Sequence, residues 1–307
     1  MSAATVVGTG LPTGSGSRSL GSRLGAFVAL TKPRIIELLL VTTLPTMFVA
    51  ARGLPSVPLM VATLVGGTLA AGGANAINMF VDRDIDAVMH RTARRPLVTG
   101  AVSPAAALIF AVSLEVIAFA ELWTTVNPLS AVLAVSATLF YVFVYTLWLK
   151  RMSRQNIVIG GAAGAVPVLV GWAAVTGTVG LAPLLLFALI FVWTPPHFWA
   201  LAIKYRDDYA SVDVPMMPVV ATFERTARAI LAYSVLVVVV SAAFGLSAHM
   251  GPLYWAAAVV CGGAFVALAA RLYLVRTERR AMVLFHWSIS YVTLLFVAMA
   301  VDELIRH

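Results

Sequence analysis

Three oxygen-bearing side chains recur at a four-residue interval in the segment Asn78-Met-Phe-Val-Asp82-Arg-Asp84-Ile-Asp86. On an α-helix that interval stacks Asn78, Asp82 and Asp86 on one face. Asp84 points about 200° away from Asp82 and reads as a structural partner for a loop arginine. At 1.5 Å rise per residue the stripe is about 12 Å long, enough for one or two hard divalent cations and a diphosphate that they bridge. Stacked carboxylates repel one another, and near hydrocarbon the penalty is on the order of several kcal/mol unless cations neutralise them. A solvated helix end whose acids pair with Arg83 and Arg91 would explain the charge balance. It would not explain an amide and two carboxylates in register on a face with no lysine.

Other polar clusters offer complementary chemistry. Downstream comes His90-Arg91-Thr92-Ala93-Arg94-Arg95-Pro96-Leu97, in which Arg94 and Arg95 are candidates for bidentate contacts to phosphate or carboxylate oxygens. A second segment reads Lys204-Tyr205-Arg206-Asp207-Asp208-Tyr209. There Asp207 and Asp208 are candidate ligands for a further magnesium, and Lys204 and Arg206 are candidates to neutralise a departing diphosphate. In Trp193-Thr194-Pro195-Pro196-His197-Phe198-Trp199 two prolines remove helical donors, a break that survives where it lines a cavity. His197 either satisfies a freed carbonyl or faces a substrate, as a contact or a proton carrier. Glu37, Glu115 and Glu121 fall in apolar segments, where a functional role and helix-to-helix hydrogen bonding are equally open.

The elements that must hold these residues are membrane helices. Of 307 residues, 61% are hydrophobic and 11% charged, far more apolar surface than one soluble core can bury. Runs near spanning length cover 34–52, 58–80, 104–123, 129–148, 157–177, 181–203, 228–247, 252–273 and 283–303, so about nine helices are expected. Apart from Arg52 and Arg306, the lysines and arginines fall in every second connection, whereas 124–128 and 176–180 hold none. The positive-inside rule then places the N-terminus in the cytoplasm and the C-terminus outside. This distribution, rather than a nucleic-acid-binding face, accounts for the net charge of +8. The two long inner connections, 80–103 and 204–226, carry most of the polar chemistry, lie four helices apart and suggest a weak internal duplication. Gly66-Gly67, Gly72-Gly73 and Gly160-Gly161-x-x-Gly164 are expected to permit close helix approach. The sole cysteine, Cys261, reads as packing and excludes intramolecular disulfides and cysteine-ligated zinc or iron–sulfur centres. Residues 1–24, rich in Gly, Ser and Thr, are expected to form a disordered cytoplasmic tail before a single membrane domain over 25–307.

Taken together, the aspartate stripe that ends an even-numbered helix and the second Asp-containing inner loop resemble the UbiA superfamily of intramembrane prenyltransferases. Asp82-Arg-Asp-Ile-Asp86, Arg91-Thr-Ala-Arg-Arg95-Pro96-Leu97, Thr194-Pro-Pro-His197-Phe-Trp199, Asp208-Tyr209 with Val214-Pro-Met-Met-Pro218, and Thr31-Lys-Pro-Arg34 are similar to the branch that farnesylates haem. The resemblance spans roughly 27–303, and Asp213 stands where that branch leads one to expect a small residue such as glycine. It implies an all-α protein with about nine transmembrane helices around a central cavity open toward the cytoplasm, in a bacterial cell membrane. The implied reaction moves a farnesyl group from farnesyl diphosphate to a vinyl group of haem B, which is substrate rather than prosthetic group, and water then adds to give haem O. Magnesium would be held by Asn78, Asp82 and Asp86 with Asp207 or Asp208. Arg94, Arg95, Lys204 and Arg206 would meet phosphates or propionates, with Tyr209 beside them and His197 as a haem contact. Phe80, Tyr141, Tyr145, Phe198 and Trp199 are candidates to shield the allylic cation. Contact with a haem A synthase or terminal-oxidase assembly factors is a further implication. An aromatic prenyltransferase of quinone biosynthesis and a transporter with a midplane site are the alternatives.

Overall fold

A computed structural model describes residues 20–306, all of whose regular structure is helical. Residues 1–19, most of the expected tail, lie outside the described residues. Helix α1, Leu20–Leu30, begins inside the stretch read as tail. Its apolar side explains this: Phe27 meets Phe110 edge-on at 5.1 Å, and Leu30 is fully buried beside Ala76, Met79 and Ala107.

The helices that follow are α2 Pro33–Ala51, α3 Val57–Val81, the short α4 Arg83–Val88, α5 Pro104–Thr125 and α6 Pro128–Leu139. Helix α6 runs on through a π-helix, Phe140–Leu149, into α7, Lys150–Met152. Next come α8 Asn156–Thr176, α9 Leu181–Lys204, α10 Arg206–Ala210, α11 Met217–Val220, α12 Phe223–Ser247, α13 Pro252–Leu274 and α14 Glu278–Arg306. Among the described residues nine of these, with α6 through α7 taken as one continuous helix, are long and apolar enough to span a membrane, so the protein is a multi-pass membrane protein.

Local chemistry sets the helix ends. Proline occupies the first turns of α2, α3, α5, α6 and α13, where no intrahelical donor is lost. The side chains of Ser103, Asn127 and Thr222 accept from the amides of Ala106, Ser130 and Arg225. At the opposite end of the bundle from α4, the buried Asp302 carboxylate accepts from Gly251 N, Leu253 N and Tyr254 N, tying the last span to the start of α13.

Hydropathy alone set some limits too narrowly. The seventh and ninth spans begin at Phe223 and Glu278 instead of 228 and 283, because the charged residues there snorkel from helical ends that a hydropathy window rejects. Helix α2 packs on α3, α8 and α14, and α9 on α8, α12 and α14. At Gly73 an added Cβ would lie 2.9 Å from the Ala111 carbonyl oxygen, and at Gly161 2.9 Å from Thr194 Cβ. Close approach is therefore required at both, and Gly66, Gly72 and Gly160 also face neighbours. Among the described residues nothing lies within 4 Å of a Cβ added at Gly67 or Gly164, so no close approach is seen there. Outward residues such as Ile109, Val259 and Val260 are each 68% exposed and supply a lipid-facing surface.

Candidate active site

The acidic stripe sits where α3 gives way to α4. Asp82 leaves the helical region at φ −82° and ψ 2°, yet Asp82 N still bonds to Asn78 O at 2.9 Å and Asp86 N to Asp82 O at 2.9 Å. The four-residue register therefore survives the break, and Asn78, Asp82 and Asp86 are all buried. Asp84 points outward and receives two bonds of 2.7 Å from the Arg151 guanidinium, which hold its carboxyl at about 2.

Three cations from three different parts of the chain cover the ladder. Lys32 Nζ donates to Asn78 Oδ1 at 2.7 Å. Lys150 pairs with Asp82, and Arg95 with Asp86. Asn78 spends its amide protons on Asp82 Oδ2 at 2.8 Å and Thr146 Oγ1 at 3.1 Å, so its carbonyl oxygen faces the lysine. Lys32 occupies a left-handed turn, φ 53°, between α1 and α2. Burial first, then repulsion from Arg95 and Lys150, lowers its amine to about 7 against the opposing pull of Asp82 and Asp86.

The π-helix explains how the fourth span contributes. With a wider turn than an α-helix, it brings residues four and five apart onto one side. Tyr141 and Tyr145 stack at 5.4 Å, the Thr146 hydroxyl donates to Tyr141 O, and Lys150 N bonds to Tyr145 O. Tyr141, Tyr145, Thr146 and Lys150 thus form a continuous edge, two members of which touch the acidic ladder.

The second inner loop clasps the first. Asp208 accepts from the backbone amides of His90 at 3.3 Å and Arg91 at 3.2 Å. The Arg91 guanidinium donates to Tyr209 Oη at 2.9 Å and lies 4.8 Å from that ring. A pocket of about 390 Å³ opens between the loops, lined by His90, Arg91, Lys204, Tyr205, Asp207 and Asp208. The structure does not bring Asp207 or Asp208 onto the ladder: Asp208 is engaged with backbone and Asp207 is exposed in that pocket. Arg206 lines a separate pocket with Pro218, Phe223 and Glu278, and Arg94 is exposed. Asp213 has a left-handed φ of 53°, the conformation for which glycine is the natural choice. His197 stacks between Trp193 and Phe285 and contacts Ser288, at the α9–α14 seam.

Oxygen donors of this kind suit a hard divalent cation. Asp82 Oδ1 is sealed from solvent and, among the described residues, receives no hydrogen bond, with the Arg151 guanidinium 3.9 Å away. That orphaned oxygen fits a cation, although among the described residues no three His, Cys, Asp or Glu side chains converge closely enough to form a complete cage. Glu115 accepts from Thr138 of α6 at 3.1 Å and Glu121 from Thr125 of its own helix at 2.9 Å, and among the described residues the second carboxylate oxygen of each is buried without a hydrogen-bond partner. The sequence reading missed Lys32, Lys150 and Thr146 as members of the site. Both lysines end or precede apolar spans, where lysine is also expected for topology alone.

The family model described as the UbiA prenyltransferase family matches residues 39–290. The protoheme IX farnesyltransferase of Frankia alni is 55% identical over 290 residues, covering 93% of this chain and 100% of its own length. The enzyme of the same name from Streptomyces coelicolor is 51% identical over 295 residues, covering 94% of each chain. Among solved structures, an apo UbiA homologue from Aeropyrum pernix has a TM-score of 0.70 at 21% identity, covering 86% of this chain and 97% of its own. A homologue from Archaeoglobus fulgidus, bound to GPP and Mg2+, has a TM-score of 0.62 at 16% identity, covering 89% and 99%. These two likenesses establish the fold.

Proposed function

This chain belongs to the UbiA prenyltransferase family, and we propose that it transfers the farnesyl group of farnesyl diphosphate to a vinyl group of haem B, producing haem O. The observation that carries this reading is the buried ladder of Asn78, Asp82 and Asp86 with its orphaned Asp82 oxygen, in a chain more than half identical to protoheme IX farnesyltransferases. Asn78, Asp82 and Asp86 would hold magnesium, which when bound supplies charge neutralisation for a diphosphate leaving group.

The chain's own residues do the rest. Lys32, Lys150 and Arg95, now seated on the ladder, are the donors within reach of diphosphate oxygens when metal relieves them of the carboxylates. As the allylic C–O bond breaks, its electron pair leaves with the diphosphate that these cations stabilise. The stacked faces of Tyr141 and Tyr145 lie beside the ladder and suit the allylic cation. Two of the other aromatic candidates are engaged elsewhere: Phe80 lies under Arg83, and Trp199 meets Tyr233 edge-on. The haem vinyl group then forms the new C–C bond, and water supplies the hydroxyl, releasing a proton. Asp208 acts by fastening the His90–Arg91 backbone to the second loop, and Lys204 with Arg91 offers positive charge to propionates in the pocket between them.

Loop charge supports an orientation with this end of the bundle, and a central cavity opening there, in the cytoplasm of a bacterial cell, with the C-terminus outside. Haem O would pass to a haem A synthase or terminal-oxidase assembly factor at the membrane. In membranes supplied with haem B, farnesyl diphosphate and magnesium, Asp82→Ala and Asp86→Ala are each expected to reduce haem O formation by about 10³-fold, the loss of several kcal/mol of charge stabilisation. Normal turnover in either variant refutes the metal assignment. Farnesylation of a phenolic acid with haem B untouched refutes the acceptor.

A further inference from the structure

His197 is held in one orientation by three contacts. Its ring stacks on Trp193 at 4.3 Å and on Phe285 at 4.7 Å, and Nδ1 lies 2.7 Å from Ser288 Oγ. The Ser288 hydroxyl has a single proton, which the 2.6 Å approach of its oxygen to Phe285 O assigns to that carbonyl. Ser288 Oγ therefore meets Nδ1 as an acceptor, so Nδ1 carries the imidazole proton and Nε2 carries the free lone pair. Among the described residues Nε2 makes no hydrogen bond, yet it is not one of the sealed, partnerless polar atoms of the interior. The α9–α14 seam does not depend on the imidazole, because Trp193 Nε1 already donates to Ser288 O at 2.9 Å.

A neutral imidazole with one nitrogen tied to an oxygen acceptor and the other open is the form in which histidine binds transition metals. His197 lies seven residues before the end of α9 at Lys204, which puts it about 10 Å inside the end of the bundle that carries the acidic ladder. A planar macrocycle centred at that depth would bring its carboxylates toward Lys204 and Arg91 and its apolar edge toward the lipid-embedded part of the bundle.

We propose that His197 Nε2 is an axial ligand to the iron of the haem acceptor and that Ser288 is the residue that positions it. The proposal rests on the acceptor reading above and adds how the macrocycle is held. The purified full-length protein in lipid nanodiscs, titrated with haem B without farnesyl diphosphate, should show a displaced Soret band and, when reduced, the iron–histidine stretch in resonance Raman. In His197→Ala that stretch should vanish, haem affinity should fall about tenfold, and added imidazole should restore the signal. Ser288→Ala should shift the iron–histidine stretch and weaken haem binding by about tenfold, while Ser288→Thr should retain both. Metal-free protoporphyrin should bind wild type and His197→Ala equally. An unchanged iron–histidine signature in His197→Ala overturns the axial assignment and leaves the acceptor reading standing. A wild-type protein that leaves the haem spectrum unperturbed overturns both.

Discussion

Replacing Lys150 by Met tests how the acidic ladder is stabilised. Asp82 is completely buried and its Oδ2 is paired with Lys150, while Oδ1 has no hydrogen bond. Breaking such a buried pair costs about 3–5 kcal/mol, because the remaining charge is left uncompensated. Asn78 Nδ2 at 2.8 Å and Arg151 at 3.9 Å still face the carboxylate, so the lower end, about 3 kcal/mol, applies. At roughly 2 °C per kcal/mol for a chain of this size, thermal unfolding in nanodiscs without magnesium should fall by about 6 °C. Magnesium should recover at least half of that loss, since the cation meets a carboxylate no longer shared with an ammonium. The double variant Lys150→Met, Asp82→Asn removes both charges and should unfold within about 1 kcal/mol of wild type while remaining inactive. A single variant as stable as wild type, or a double variant as unstable as the single, refutes the reasoning.

Two further outcomes follow from the same structure. Asp208→Ala removes the acceptor for two backbone amides of the first inner loop, which should raise the rate of limited proteolysis near His90 by about tenfold, equivalent to about 1.4 kcal/mol of local opening, with little change in global unfolding. Gly73→Val places a branched side chain against the Ala111 carbonyl and Glu115, so α3 and α5 must separate; thermal unfolding should drop by the equivalent of about 1–3 kcal/mol, whereas Gly67→Val, which meets nothing, should be silent.

The positions of the nine spans and of the ladder were legible because both are local. A hydropathy run and a four-residue interval are each properties of one helix, and the break at Asp82 leaves the interval intact. Two of the three cations that face the ladder were not legible. Lys32 reaches it across 46 residues and Lys150 across 68, from positions where topology alone asks for a basic residue. The π-helix was equally hidden, since the segment Phe140–Leu149 reads as ordinary apolar helix and the wider turn shows only in its bonds. Aspartates in the second loop looked equivalent to those of the ladder by type, yet what separates them is partner: Asp208 is bonded to backbone, Asp82 to ammonium.

That difference in partners bears on the order in which substrates are admitted. Two buried carboxylates, Asp82 and Asp86, face three cationic groups, Lys32, Lys150 and Arg95, so the ladder and its shell carry a surplus of positive charge when Lys32 is protonated. On the proposed reading a lone divalent cation would be repelled by the groups it must displace, and a lone diphosphate, although attracted by them, would leave the buried carboxylates uncompensated as it drew them away. With metal and diphosphate together both halves would be satisfied: Asn78, Asp82 and Asp86 would hold the metal, which would supply charge neutralisation, and Lys32, Lys150 and Arg95 would be free to donate to phosphate. On that proposed reading metal and diphosphate would enter together, and the leaving-group site would be complete only with the prenyl donor in place.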